Sequence, residues 1–236
     1  MLTSTADLVI LATGAWTGSL VNLQGRATAT GQVLMYLTLT EAEQERLGKM
    51  PVLLNMSSGL FIIPPSNRVL KVARHAYGYS NPTTILDPDG SGTSITVSLP
   101  LTTYTSPHQT VPPEGEAACR AALRSMIPSL ADRPFEKGRI CWYTDTPSAD
   151  FLITYHPEWE GLFLATGGSG HGYKFLPVIG ERIVDCVEGN CPREFREKWC
   201  WPKKGVNEGE VVTEDGSRGG KRGLVLEVEM VKGTKL

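Results

Sequence analysis

Residues 161–185 read GLFLATGGSGHGYKFLPVIGERIVD, and they carry the strongest fold signal in the chain. A strand-like run ends at Thr166, glycines 167, 168, 170 and 172 follow, and a helix is predicted to begin near Gly172 or Tyr173. The first free N–H groups of a helix point at whatever lies over its N-terminus, and the dipole adds positive potential there. That arrangement suits an anion or a developing negative charge. Glycines let a backbone approach a flat ligand closely, and His171 and Lys174 add donors at the same place. Spacing alone leaves two readings open: an anion-binding loop, or a glycine-rich turn with no ligand.

Working outward, a second strand-like run, FLITYH, precedes this segment at 151–156, and before it RICWYTDTPSADF places Cys141 ahead of an aromatic pair. By itself Cys141 reads as a buried structural thiol. At the other end of the chain, ADLVILATGAW (6–16) holds an apolar strand, Leu8 to Ala12, that stops at Thr13-Gly14. This is expected to be a buried strand of a parallel, nucleotide-binding sheet. No G-x-G-x-x-G precedes it, so the βαβ unit that would hold a dinucleotide pyrophosphate is expected to be missing.

Residues 27–106 read mainly as strands. GQVLMYLTLT alternates, and EAEQERLGK is helical with Thr40 as its N-cap. PVLLNMSSGLFIIPP and RVLKVARHAYGY are strand-like, with turns at Ser57-Ser58-Gly59 and Pro64 to Asn67. LDPDGSGTS reads as a polar glycine-rich loop. In RVLKVARHAYGY, Lys71 sits among Val69, Leu70 and Val72. Such a lysine either snorkels from a sheet edge or points into a site. Alternation places Lys71, Ala73 and His75 on one face and Val72, Arg74 and Ala76 on the other. PPEGEAACRAALRSMIPSL is an amphipathic helix with Ala118, Ala121, Ala122, Leu123 and Met126 on its apolar side. Beyond residue 190 the chain turns charged and glycine-rich, and EDGSRGGKRG is expected to be a surface loop or extended arm.

Composition narrows the classes. A formal net charge of −2 implies no polyanionic partner, and hence no nucleic acid. No run of about 18 apolar residues is present, so no membrane span is expected. MLTSTADLVILATG lacks the basic start of a signal peptide, and Asp7 interrupts its apolar run. Five scattered cysteines, an odd number, argue against a disulfide framework. The VEGN spacer between Cys186 and Cys191 is too loose for a redox pair, and no zinc-ligand spacing occurs. A reducing compartment is expected. The terminal Thr-Lys-Leu departs from the peroxisomal Ser-Lys-Leu at its small residue, leaving a peroxisomal or cytoplasmic location.

CWYTDTPSADF, GGSGHGYKFLPVIG and the Lys71 strand together resemble the C-terminal half of the sarcosine oxidase, pipecolate oxidase and fructosyl amino acid oxidase group of flavoproteins. The resemblance runs from ADLVILATGAW to the tail holding EDGSRGG. It implies an α+β or α/β fold: a remnant of an FAD-binding domain (1–26), a sheet-rich substrate domain (27–135), a return to the FAD-binding domain (136–190) and a C-terminal arm (191–236). It implies FAD, bound covalently through Cys141 to the flavin 8α position. It also implies that Lys71 lies near flavin N5 and helps activate oxygen, that His75 lines the substrate pocket, and that Lys174 binds a substrate carboxylate. Gly170, His171, Gly172 and Tyr173 match the segment over the pyrimidine end of the ring, where a helix start stabilises negative charge. Deglycating members tend to carry an acidic residue at the place of His75, which favours a plainer secondary amine.

The implied reaction is oxidation of an amino acid's secondary amine to an imine, with oxygen reduced to hydrogen peroxide. Lys71, and His75 when protonated, would favour the reactive neutral amine by like-charge repulsion. Two competing readings remain: a truncated chain without catalysis that associates through exposed sheet edges, and a chain completed by a separate one. Asp145 and Asp150 read as loop or cap residues, and His108 and His156 receive no role. Trp142, Tyr143 and Trp159 read as packing, and Trp199 and Trp201 as anchors for the tail.

Overall fold

The computed structural model describes residues 5–203, 216 and 218–232. In chain order its elements are β1 (Val9–Leu11), β2 (Thr28–Thr38), α1 (Glu41–Leu47), β3 (Leu53–Asn55), β4 (Leu60–Ile62), β5 (Val69–Arg74), β6 (Tyr79–Ser80), β7 (Pro82–Leu86) and β8 (Ser94–Ser98). They continue with α2 (Pro113–Met126), β9 (Lys137–Asp145), β10 (Leu152–Tyr155), β11 (Leu162–Thr166), α3 (Leu176–Val187), α4 (Arg193–Arg196), β12 (Leu224–Val225) and α5 (Leu226–Lys232). The chain divides into two compact units. The first is Met1–Ala29, Pro82–Leu99 and Tyr143–Glu214; the second is Thr30–Asn81, Pro100–Trp142 and Asp215–Leu236. Pro82–Leu99, the β7–β8 hairpin, therefore groups with the first unit although its sequence lies inside the expected 27–135 segment.

The second unit is built on the sheet β12-β6-β2-β5-β4-β3, with β9 also paired to β2. β2 and β5 are antiparallel with Tyr36 opposite Lys71 and Leu34 opposite Ala73. Period-two alternation gives this sheet two unlike faces. Val33, Met35, Leu37, Leu60, Ile62, Leu70, Val72 and Ile140 are buried in one core with Cys119, Ala122 and Leu123 of α2. Cys119, not the exposed Ala121, completes the apolar side of that helix. α1 begins as its sequence requires: Thr40 and Glu43 form a reciprocal capping box.

Arg74 lies on the core side of β5 with Leu70 and Val72, and its charge is answered there. Its Nη1 donates to Glu114 Oε1 at 2.6 Å and its Nη2 to Oε2 at 3.0 Å. The same Nη2 donates to the Tyr79 hydroxyl at 2.9 Å, which in turn donates to Glu114. Burial works against the Glu114 charge, but the hydrogen bonds from Arg74 and Tyr79 outweigh it and hold the carboxyl below its usual range. A depressed folded-state pKa contributes stability above the unfolded glutamate value, about 4.3, that is lost as pH falls through the folded value. The urea midpoint of the chain should therefore drop on acidification from about pH 5 to about pH 3. Glu114→Gln should remove that part of the dependence and cost about 2 kcal/mol at neutral pH. An unchanged pH profile in the variant would contradict this role.

In the first unit, β11 pairs in parallel with β1 and antiparallel with β10. β1 is the edge of this sheet, and Leu8, Val9 and Ile10 are exposed, which corrects the expectation of a buried strand. Burial on both faces requires neighbours on both sides, and among the described residues β1 has one paired strand. Phe151, Ile153, Phe163, Cys186 and Trp199 form a second core. Trp199 stacks on Phe195 at 4.3 Å, and its carbonyl accepts from Ile153 N. Trp201 meets His156 edge-on at 4.7 Å and lies under the Arg26 guanidinium. The two tryptophans thus anchor residues 199–201, as expected. Asp145 is buried at the end of β9 and is no exposed loop residue.

All five cysteines are free thiols. Burial, with the neighbouring Cys191 adding to it, pushes the Cys186 thiol up to about 12. No described helix is long and apolar enough to cross a membrane, and no metal-binding cluster occurs among the described residues.

Candidate functional site

The second unit presents a cationic face. β5 is interior to its sheet, so Lys71 does not snorkel from an edge. Its side chain leaves the sheet opposite the core, beside Tyr36 of β2, and its Nζ stands 5.5 Å from the centre of the Phe61 ring. On β9, Ile140 and Trp142 belong to the core, so Cys141 and Arg139 alternate onto the other side. Arg139 confirms that side by placing its guanidinium 5.8 Å from the Tyr36 ring centre. Lys71 and Cys141 therefore share one face on strands that flank β2.

That neighbourhood shapes the lysine. Burial lowers the Lys71 ammonium from the ordinary lysine value; Cys141 opposes the shift and Arg139 adds to it. Cys141 is itself half-buried, a position compatible with reaction and unlike the fully buried core thiol Cys119. Burial pushes the Cys119 thiol up to about 12. His75 lies just beyond β5, also half-buried. Its N–H donates to Gly59 O at 2.6 Å, and its ring Nδ1 meets Arg218 Nη1 at 3.2 Å. Arg139, Tyr36, Phe61 and Arg218 were not singled out from sequence. β-alternation on GRICWY could have placed Arg139 beside Cys141, but no local signal marks Arg218.

The first unit holds the glycine-rich loop. β11 ends at Thr166, whose hydroxyl lies 3.1 Å from that of Thr17. Gly167 has φ of +71°, and a Cβ there would meet Leu152 N at 2.8 Å, so glycine is required. His171 N and Gly172 N both donate to Gly168 O, closing the turn. A single 3-10 turn, Gly172–Phe175, comes first and α3 starts at Leu176, slightly later than expected. No side chain caps either start. His171 is held at 2.8 Å from Ala149 O through Nε2 and stacks on Phe151 at 5.1 Å. Its Nδ1 is buried without a hydrogen-bond partner among the described residues. Tyr173 is 87% exposed, and Lys174 beside it is exposed with its Nζ 5.2 Å from the Phe175 ring. Gly170 and Leu176 are exposed as well.

Residues 2–186 match the profile of the FAD dependent oxidoreductase (DAO) family. The chain belongs to that family. L-saccharopine oxidase of Schizosaccharomyces pombe is 31% identical over 198 residues, covering 83% of this chain and 44% of the relative. Monomeric sarcosine oxidase of Bacillus sp. strain NS-129 is 29% identical over 186 residues, covering 76% of this chain and 43% of the relative. Among solved structures, a modified fructosyl peptide oxidase from Aspergillus nidulans superposes with a TM-score of 0.84 at 31% identity. That match covers 95% of this chain and 51% of the other. The fold is thus that of these FAD-dependent oxidoreductases, and the chain spans about half the length of the relatives it matches.

Each unit, taken by itself, carries groups of a kind that suits an isoalloxazine ring. The loop offers an orphaned ring nitrogen on His171 and an exposed aromatic side chain in Tyr173. This donor set suits a flat aromatic group with a polar, electron-rich edge. The second unit supplies a half-buried thiol and a desolvated ammonium on one face.

Proposed function

We propose that the chain is the flavin-facing part of an amine oxidase that oxidises a secondary amine of an amino acid and reduces oxygen to hydrogen peroxide. The observation that carries this reading is the pairing of Lys71 and Cys141 on one face, in a chain of an FAD-dependent family. Bound FAD would supply the two-electron acceptor. Cys141 would hold it by a thioether, and Gly170, His171, Gly172 and Tyr173 would line its pyrimidine end. Lys174 would take the substrate carboxylate, and Lys71 would place a positive charge where oxygen gains electrons. His75 would face the amine-bearing substrate. A histidine at the place where deglycating relatives tend to carry an acidic residue favours a plain secondary amine.

The test is expression of the full chain with excess FAD. Yellow colour that survives denaturation, with peroxide released from an N-alkyl amino acid, is the expected result; colourless protein without peroxide would overturn the reading for this chain. The exposed apolar edge of β1 favours a second reading. There the chain binds FAD only when a fragment bearing the pyrophosphate-binding βαβ unit supplies the neighbouring strand. Colour and activity gained only on mixing with such a fragment would select it. The peroxisomal assignment rests on residues 234–236, which lie outside the described residues.

A further inference from the structure

α3 ends in a turn that folds the chain back on itself. Gly189 N donates to Cys186 O at 3.2 Å and Asn190 N to Asp185 O at 2.7 Å, with Gly189 at a φ of +79°. Paired bonds of this kind around a left-handed glycine close a helix and turn the chain back along its last turn. Cys186 follows directly on the accepting residue Asp185, and Cys191 follows directly on the donating residue Asn190. Both cysteines meet the same core. Cys186 is buried in it with Phe151, Phe163 and Trp199, and Cys191 packs against it, half-buried. Arg196 Nη2 donates to the Cys191 carbonyl at 3.2 Å and steadies that backbone. After burial, the neighbour that most raises the Cys186 thiol is Cys191. The other thiols sit elsewhere: Cys119 and Cys141 belong to the second unit, and Cys200 is exposed with its Sγ 3.1 Å from Glu197 O.

We propose that Cys186 and Cys191 are a modification site, a dithiol that hydrogen peroxide converts reversibly to a disulfide. This rests on the oxidase reading only for the source of the peroxide, which that reaction releases. Cys191 is the more accessible of the two and reacts first. Its sulfur attacks one peroxide oxygen, the O–O bond breaks, one water leaves and a sulfenic acid remains. The Cys186 sulfur then attacks the Cys191 sulfur, the S–O bond breaks, a second water leaves and the disulfide forms. Two thiols and one hydrogen peroxide thus give one disulfide and two waters, and the sulfurs lose the two electrons that peroxide gains. A disulfide needs Cα atoms within about 7 Å, a range that a chain doubled back by one hydrogen bond supplies. Buried Cys186 is unsuited to meet peroxide directly, but it is placed to resolve a sulfenic acid formed next to it. Resolution stops the oxidation short of the irreversible sulfinic acid. The pair replaces the expectation that the VEGN spacer is too loose: four residues intervene along the chain, and the turn after α3 cancels that separation.

The test uses the full chain without flavin, treated with hydrogen peroxide at neutral pH, then unfolded with an alkylating reagent and digested with trypsin. Residues 183–193 form one tryptic peptide, IVDCVEGNCPR, which holds both cysteines and none of the others. The expected result is loss of both alkylation sites on this peptide, with a mass lower by two hydrogen atoms and full recovery by dithiothreitol. Chain unfolded in urea before oxidation should give far less of this product. Sulfinic or sulfonic acid at Cys191 beside a still alkylated Cys186 would overturn the proposal. So would a bridge from Cys191 to Cys200 or to another chain, a peptide untouched while Cys200 is oxidised, or an equal yield from unfolded chain. Cys186→Ser should leave a sulfenic acid at Cys191 that dimedone traps; should that variant fail to fold by circular dichroism, the wild-type peptide decides alone. Peroxide is added from outside, so the readout needs no turnover. A chain that forms the bridge but releases no peroxide from amines sinks the oxidase reading alone, and an active oxidase whose peptide stays reduced sinks this one alone.

Discussion

Cys141→Ser is expected to abolish acid-stable flavin altogether. After precipitation with trichloroacetic acid, the wild-type chain reconstituted with FAD should keep its yellow colour in the pellet, and the variant should lose it to the supernatant. Serine preserves the shape and half-buried position of the side chain but does not supply the thiolate, which is the nucleophile of cysteine chemistry. The choice of Cys141 over the buried cysteines follows from where each one sits. Cys119 is a fully buried residue of α2 with its thiol raised, and Cys186 is buried in the other unit with its thiol raised as well. Cys141 is half-buried and shares one sheet face with Lys71. Covalent flavin retained by the Ser variant would remove Cys141 as the anchor.

Lys71→Met should slow reoxidation of the reduced flavin by oxygen by about 100-fold or more, the usual scale for deleting one preorganised charge at a developing anion. Flavin reduction by the amine should fall far less. Methionine keeps the stem that packs by Phe61 and removes only the ammonium. The ammonium is already partly desolvated, so its field acts through a medium that screens it less than water does. Stopped-flow measurement of the two half-reactions separates the effects, and equal losses in both would argue that Lys71 is structural.

Much of this was legible locally. Thr40 ahead of EAEQERLGK announced an N-capped helix, and Thr40 forms that cap together with Glu43. The alternation in RVLKVARH set Lys71 against the core residues Leu70 and Val72, as the sheet shows. The glycine run after Thr166 marked the turn before α3, although one 3-10 turn delays the helix. These features depend on residues a few positions apart, where period and turn chemistry act directly.

Other features were beyond that range. Whether Lys71 stood at an edge depended on which strands flank β5, a matter of pairing and not of periodicity. The exposure of β1 had the same origin: an apolar strand is buried only if the sheet continues past it. Arg139 and Cys141 joined Lys71 because β9 and β5 both pair with β2 across a long stretch of chain.

The sequence by itself determined the family, the strand carrying Lys71, and the glycine loop at 167–172, because each is written in short-range residue types and spacing. Only the tertiary structure decided that His75 meets Arg218. The two are separated by 143 residues, and Arg218 sits in a segment whose composition reads as solvent-exposed. A part-buried contact between two such distant polar groups is selected by the packing of the whole unit, and no local pattern encodes it.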